Sequence, residues 1–186
     1  MKAKPTNHPG EVVLELNRRD EALLAAAGGK VAPSPFRLKR ILVPVDFSDC
    51  SKKALQYALP LAKQYQAAIT LLYVVPPSYA VGEYGGIDYA SLEAETRASA
   101  DRALAILAVD EIRGEVSADA EVCTGSPALK IIEVAKRLPA DMIVVSTHGR
   151  TGLKHVFLGS VAENVVRHAP CPVLVVRERE HEFLAN

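Results

Sequence analysis

The sequence predicts an α/β protein built on an open, doubly wound parallel sheet. Three observations carry that reading. From Leu38 onward, short β-rich runs alternate with longer amphipathic ones in the order βαβαβαβαβ. The strand runs are near-continuous Val, Ile and Leu, as in Ile41–Val43 and Ile143–Val145, which is the pattern of strands buried on both faces. Such strands, joined by helices, pair in parallel and carry helices on either side.

Composition narrows the function classes. The chain has 186 residues, 49% of them hydrophobic and 24% charged, enough to bury one core. Twenty-two Lys and Arg balance twenty-two Asp and Glu, so no global field draws the protein to nucleic acid or to anionic membrane. The longest apolar stretch, Ala67 to Val75, is interrupted by Thr70 and is too short to span a bilayer. Lys2 and Lys4 have no apolar stretch behind them, so no signal peptide is expected. Cys50, Cys123 and Cys171 are odd in number and lack a CxxC, which argues against both a disulfide framework and a zinc site. The expectation is a soluble, cytoplasmic protein.

Element by element, residues 1–37 stand apart. Prolines and glycines punctuate them and leave one helical candidate, Glu11 to Ala27, with a broken apolar stripe; it reads as an appended arm, docked or mobile. Gly28–Gly29–Lys30 lacks the preceding strand and the following hydroxyl of a phosphate loop. The domain proper runs over 38–178, and 179–186 form a tail. Lys39–Val45 is the first strand, ended by Asp46. Ser51–Tyr65 is a helix with Ala54, Leu55, Ala58, Leu59 and Ala62 on one face, and Pro60 predicts a kink or an early stop. Ala67–Val75 is the second strand. Pro76–Tyr89 is a loop with three tyrosines and no Lys or Arg: a connection, a lid or a partner surface, but no nucleic-acid stacking platform. Ser91–Ile112 is a long helix with Ala100, Leu104 and Leu107 inward and a Glu93–Arg97 pair outward. Glu115–Cys123 is the third strand. Ser126–Pro127 starts a helix that buries Leu129, Ile132, Val134 and Ala135 and stops at Pro139. Asp141–Val145 is the fourth strand, Ser160–His168 a short helix and Pro172–Val176 the last strand.

In an open parallel sheet, ligands bind at the carboxyl ends of the strands where the strand order reverses. The segment after the fourth strand, Ser146 to Ser160, has the makings of an anion cradle. Gly149 and Gly152 allow positive φ and close backbone approach, Gly159–Ser160 opens a helix, and Ser146, Thr147 and Ser160 carry hydroxyls beside Arg150 and Lys154. Ser160 and Glu163 also match a capping box, which needs no ligand. Asp46 reads either as a turn or cap residue or as a ligand contact. A phospho-receiver needs an acceptor Asp after the third strand, and Glu121–Gly125 has none. His148 has no partner nucleophile, and the three cysteines read as buried, inert thiols.

Asp46, His148–Gly149, nine further residues, Gly159–Ser160, Val161–Val165 and the closing Pro170–Val176 together resemble the universal stress protein family, over Leu38 to Arg177. That resemblance implies a five-stranded sheet in the order 3-2-1-4-5, of the Rossmann-like, adenine nucleotide alpha hydrolase-like kind. It also implies a homodimer paired through the last strand and a stress-response sensor or regulator. One branch of the family binds ATP, with or without magnesium, at Gly, two residues, Gly, nine residues, Gly and then Ser or Thr. Gly149, Gly159 and Ser160 match its later positions, and Ser146 stands where the first Gly is usual. By the same matching, Pro44, Val45 and Asp46 meet the adenosine end and Val74 faces the adenine. Val145, Ser146, Thr147, His148 and Gly149 line the ribose and phosphate path, and Gly159, Ser160, Val161 and Ala162 hold the phosphates. Two alternatives stay open: a nucleotide-independent interaction module, which Ser146 favours, and a slow ATP hydrolase. The sequence offers no evident catalytic base and no metal-ligand set.

Overall fold

Residues 2–5, 12–15, 37–77, 89–149 and 158–177 are described by a computed structural model. The chain divides into two compact units, residues 1–36 and 37–186. In the first, Lys2–Pro5 (β1) and Val12–Glu15 (β2) pair antiparallel, with Lys2 opposite Glu15 and Pro5 opposite Val12. This corrects the helix expected from Glu11. Val12 and Val13 are β-branched, lose side-chain freedom in a helix and suit a strand with a partner alongside. The rest of that candidate helix, and the 179–186 tail, lie outside the described residues.

The second unit holds five parallel strands: β3 (Arg40–Pro44), β4 (Ala68–Val75), β5 (Ala118–Thr124), β6 (Met142–Ser146) and β7 (Val173–Val176). Their order is β5-β4-β3-β6-β7, which is 3-2-1-4-5 counted within this sheet. Alternation along each strand feeds two cores. Ile41, Val43, Ile69 and Leu71 pack on one face against α1 (Asp49–Tyr65) and α2 (Tyr89–Leu107). Leu42, Leu72, Val74 and Ile143 pack on the other against α3 (Pro127–Arg137) and α4 (Ser160–His168). Each fully buried aliphatic side chain contributes about 1.5–3 kcal/mol of transfer free energy.

Local chemistry moves several boundaries. α1 starts at Asp49, two residues earlier than the apolar pattern suggests, because the Ser48 hydroxyl accepts from the Ser51 amide (3.2 Å) and caps it. It neither stops nor breaks at Pro60. That residue is exposed, so the carbonyl one turn back, left without a donor, can turn to water. The helix ends at Gln66, left-handed at φ 54°, where the Ala67 amide donates to the Ala62 carbonyl (2.9 Å). α2 buries Ala100, Leu104 and Leu107 and passes into a π-helical turn, Ala108–Ile112, that tucks Ile112 into the core. Left-handed Arg113 and Gly114 then make a turn, and β5 begins at Ala118 rather than Glu115. On α3 the buried face is Ala128, Ile131, Ile132, Val134 and Ala135. Leu129 points outward at 63% exposure, against expectation, since at 3.6 residues per turn it lies about 130° round the helix from the centre of the face that Ala128, Ile131 and Ala135 share. The Glu93 side chain and most of the tyrosine loop lie outside the described residues.

Candidate functional site

The strand order reverses between β3 and β6, so a crevice opens beyond their carboxyl ends. On the β3 side the chain continues as Val45, whose amide donates to the Leu72 carbonyl (2.8 Å), and then Asp46. The Asp46 carboxylate accepts at Oδ1 from the Ser48 amide (3.1 Å) and the Ser48 hydroxyl (2.5 Å). Its own amide donates to Ser51 Oγ (3.3 Å), and the Ser51 hydroxyl donates to the Ser48 carbonyl (2.9 Å). The knot is closed by Phe47, held left-handed at φ 64° with its ring against Tyr73. That conformation costs an ordinary side chain about 1–2 kcal/mol. Asp46 is therefore both a turn residue and a lining residue of the crevice; the two readings of it are compatible.

On the β6 side, Ser146 is nearly buried, and its hydroxyl donates to the His148 carbonyl (2.9 Å). The Ser146 hydroxyl thus staples the turn instead of donating into the crevice. The Thr147 amide donates to the Val176 carbonyl and its carbonyl accepts from the Gly159 amide, both at 2.8 Å. His148 Nδ1 lies 2.9 Å from Thr147 Oγ1. Two glycines are dictated by contact. A Cβ on Gly149 would collide with Asp46 Oδ2, and one on Gly159 would sit 2.8 Å from the Thr147 carbonyl oxygen. Positive φ, the reason the sequence suggests for Gly149, is not the operative one: the described glycines with positive φ are Gly114 and Gly125. Arg150, Gly152 and Lys154 lie outside the described residues.

Two helices open on the crevice without side-chain caps. Gly159 is the N-cap of α4 and Ser160 its first residue, so the Ser160–Glu163 capping box does not form; Glu163 pairs instead with Arg167 (2.9 Å). The first amides of α4 are left without helical acceptors, as in any helix start, and carry the positive end of the dipole. Ser126 caps α3 through its position alone, with Pro127 next.

These elements enclose a cleft of about 530 Å³. Pro44, Val45, Asp46, Val74, Val145, Ser146, Thr147, His148, Gly149, Gly159, Ser160, Val161 and Ala162, the whole set that the family resemblance implies, line it. So do Ser51, Leu72, Tyr73, Pro76, Pro127 and Ile131, which sequence reasoning did not single out. Leu72 was within reach, since it shares a strand face with Val74. Ile131 and Ser51 needed the helix placements. The cleft is apolar at Leu72, Val74, Ile131 and Val145 and polar along the β6 turn and the α4 start, a division suited to a flat apolar group joined to an anionic one. Among the described residues, no group of three or more His, Cys, Asp or Glu could hold a metal ion.

The model of the universal stress protein family matches residues 37–177. The chain belongs to the universal stress protein family. Among the relatives of this universal stress protein, Universal stress protein MJ0531 of Methanocaldococcus jannaschii is 36% identical over 144 residues, covering 77% of this chain and 85% of the relative. Universal stress protein YxiE of Bacillus subtilis is 33% identical over 145 residues, 74% and 98% of the two chains. The solved structure of UspA from Lactobacillus plantarum superposes with a TM-score of 0.61 at 32% identity, over 76% of this chain and 99% of that one. A family member from Arabidopsis thaliana, solved with AMP bound, gives 0.55 at 25% identity, over 76% and 92%.

Proposed function

We propose that this universal stress protein binds an adenine nucleotide in the β3–β6 cleft and acts as a stress-response sensor or regulator. The observation that carries the reading is the pair of contact glycines. Gly149 and Gly159 let the β6 turn close on Asp46 and the α4 start close on Thr147, which places the α4 N-terminus, free of a side-chain cap, at the lining of the cleft. The AMP-bound relative supports the ligand class. In this reading Val74, Leu72 and Ile131 flank the base, Asp46 meets the adenosine end, and Ser160, Val161 and Ala162 receive phosphate oxygens on their amides. ATP is the proposed physiological ligand, and a magnesium ion bridging its phosphates would rely mostly on phosphate oxygens and water.

The Ser146 staple bears on the interaction-module alternative. Its hydroxyl is turned to His148, so it leaves the cradle open and does not argue for loss of binding. A homodimer through β7 is part of the proposal: β7 is the last strand of the sheet, and Val173, Leu174 and Val175 are only part-buried. Residues 1–37 are proposed as an arm outside the binding domain, and the cytoplasm as the location. Among the described residues no helix is long and apolar enough to cross a membrane.

The test is calorimetric titration of nucleotide-stripped protein with AMP, ATP, ATP with magnesium, and GTP. Saturable binding of adenine nucleotides, weaker for GTP, is expected. Absence of heat and of any co-purifying nucleotide would turn the reading to the nucleotide-independent module.

A further inference from the structure

On the α1–α2 side of the sheet, next to Asp46 in the chain, lies a second hollow of about 430 Å³. One wall is aromatic: Phe47 and Tyr73, their ring centroids 4.8 Å apart and tilted by 39°. The facing wall is α2, which presents Glu95, Thr96 and Ser99 at the rim above Ala100 and Ala103. Positions 96, 99, 100 and 103 share one helix face, and the two alanines on it create the space, since a larger side chain at either would fill it. The aromatic wall is fixed in place. Phe47, left-handed at φ 64°, lines this hollow and is not among the residues lining the β3–β6 cleft, and the Ser48–Ser51 hydrogen bonds hold the flanking chain. Phe47 and Tyr73 also pack on the α1–α2 core.

The chemistry of these walls selects a charge. Among the described residues lining the hollow, Glu95 is the charged one, and neither Lys nor Arg is present. Aromatic faces are electron-rich and attract cations, and a carboxylate at the rim adds to that. An anion meets the opposite of both. The volume suits a small organic molecule rather than a bare ion. We propose that this hollow is a second ligand site, taking a small organic cation with an apolar body, an alkyl- or arylammonium ion. Tyr73 lines both this hollow and the β3–β6 cleft, but the proposal does not depend on the nucleotide reading.

The probe is phenethylammonium chloride, titrated into the labelled full-length protein and followed by two-dimensional NMR, with sodium phenylacetate as the opposite charge on the same body. Saturable shifts at Phe47, Tyr73, Ala100 and Ala103 are expected with the cation and none with the anion. Glu95→Gln, at an exposed position, should weaken the cation about three- to fivefold, the size of a part-exposed ion pair. Ala103→Phe should fill the hollow and abolish the shifts while the spectrum stays dispersed. Equal response to both probes, no saturation, or affinity unchanged in Glu95→Gln would each overturn the assignment, and the Glu95 arm holds even if Ala103→Phe fails to fold.

Discussion

Gly149→Ala tests the packing of the β6 turn against the β3 end. The added Cβ would collide with Asp46 Oδ2 and lie 3.4 Å from its Cγ. The carboxylate is not free to swing aside, because Oδ1 is held by the Ser48 amide and hydroxyl at 3.1 and 2.5 Å. Each hydrogen bond to a charged acceptor is worth about 1.5–3 kcal/mol. Ser48 also caps α1, a role worth about 1 kcal/mol. With partial relaxation, the net destabilisation should be about 2 kcal/mol, which lowers Tm by about 4–8 °C in a domain of this size. Displacing Asp46 and narrowing the cradle should also weaken AMP by about tenfold, equivalent to 1.4 kcal/mol. The assay is differential scanning calorimetry and AMP titration on Gly149→Ala, Asp46→Ala and the double variant. Once Asp46 is truncated the collision partner is gone, so adding Gly149→Ala should then cost under about 0.5 kcal/mol. Equal increments in the two backgrounds would refute the contact argument, whatever their size.

Further perturbations probe other parts of the fold. Ser146→Gly removes one neutral hydrogen bond and should cost about 1 kcal/mol of stability. By titration, AMP affinity should stay within about fivefold of the parent, because that hydroxyl faces the turn. Gln66→Gly relieves a left-handed residue at the end of α1 and should stabilise by about 0.5–1 kcal/mol in urea unfolding. Burial, reinforced by Asp141, pushes the Cys171 thiol up; burial, with the Glu121 hydrogen bond, does the same to Cys123. The unfolded chain therefore releases these protons first, and their stabilising contribution, complete below about pH 8.5, is lost as pH rises toward the folded values. Tm measured from pH 7 to 10 should fall along that limb, less steeply in Cys171→Ser, and both thiols should alkylate more slowly than free cysteine at pH 8.5.

Legibility followed the range of the interactions involved. The strand runs and the helix period of α1 and α4 are local patterns, and they placed the sheet and its layers. The β6 turn was legible because Gly149, Gly159 and Ser160 carry a long, specific motif, and the sheet's order follows from the resemblance that motif supports. Phase and ends were less legible. Leu129 looks like a core residue in sequence, but its angular position puts it outside. Pro60 looks like a stop, and its exposure lets the helix continue. Val12–Glu15 looked helical, yet it has a partner in Lys2–Pro5 that no local pattern announces.

By itself, the sequence determined the family, the parallel doubly wound class and the segments that meet at the switch point. Those properties rest on periodicity and on residue types at fixed spacing, which are written along the chain. Tertiary structure alone decided why Gly149 must lack a side chain, where the Ser146 hydroxyl goes and whether Ser160 is spent on a cap. It also brought Ile131 and Ser51 into the cleft and opened the hollow between Phe47, Tyr73 and α2. Each of these depends on distances between residues far apart in sequence, and such distances exist only after the strands have paired and the helices have packed onto them.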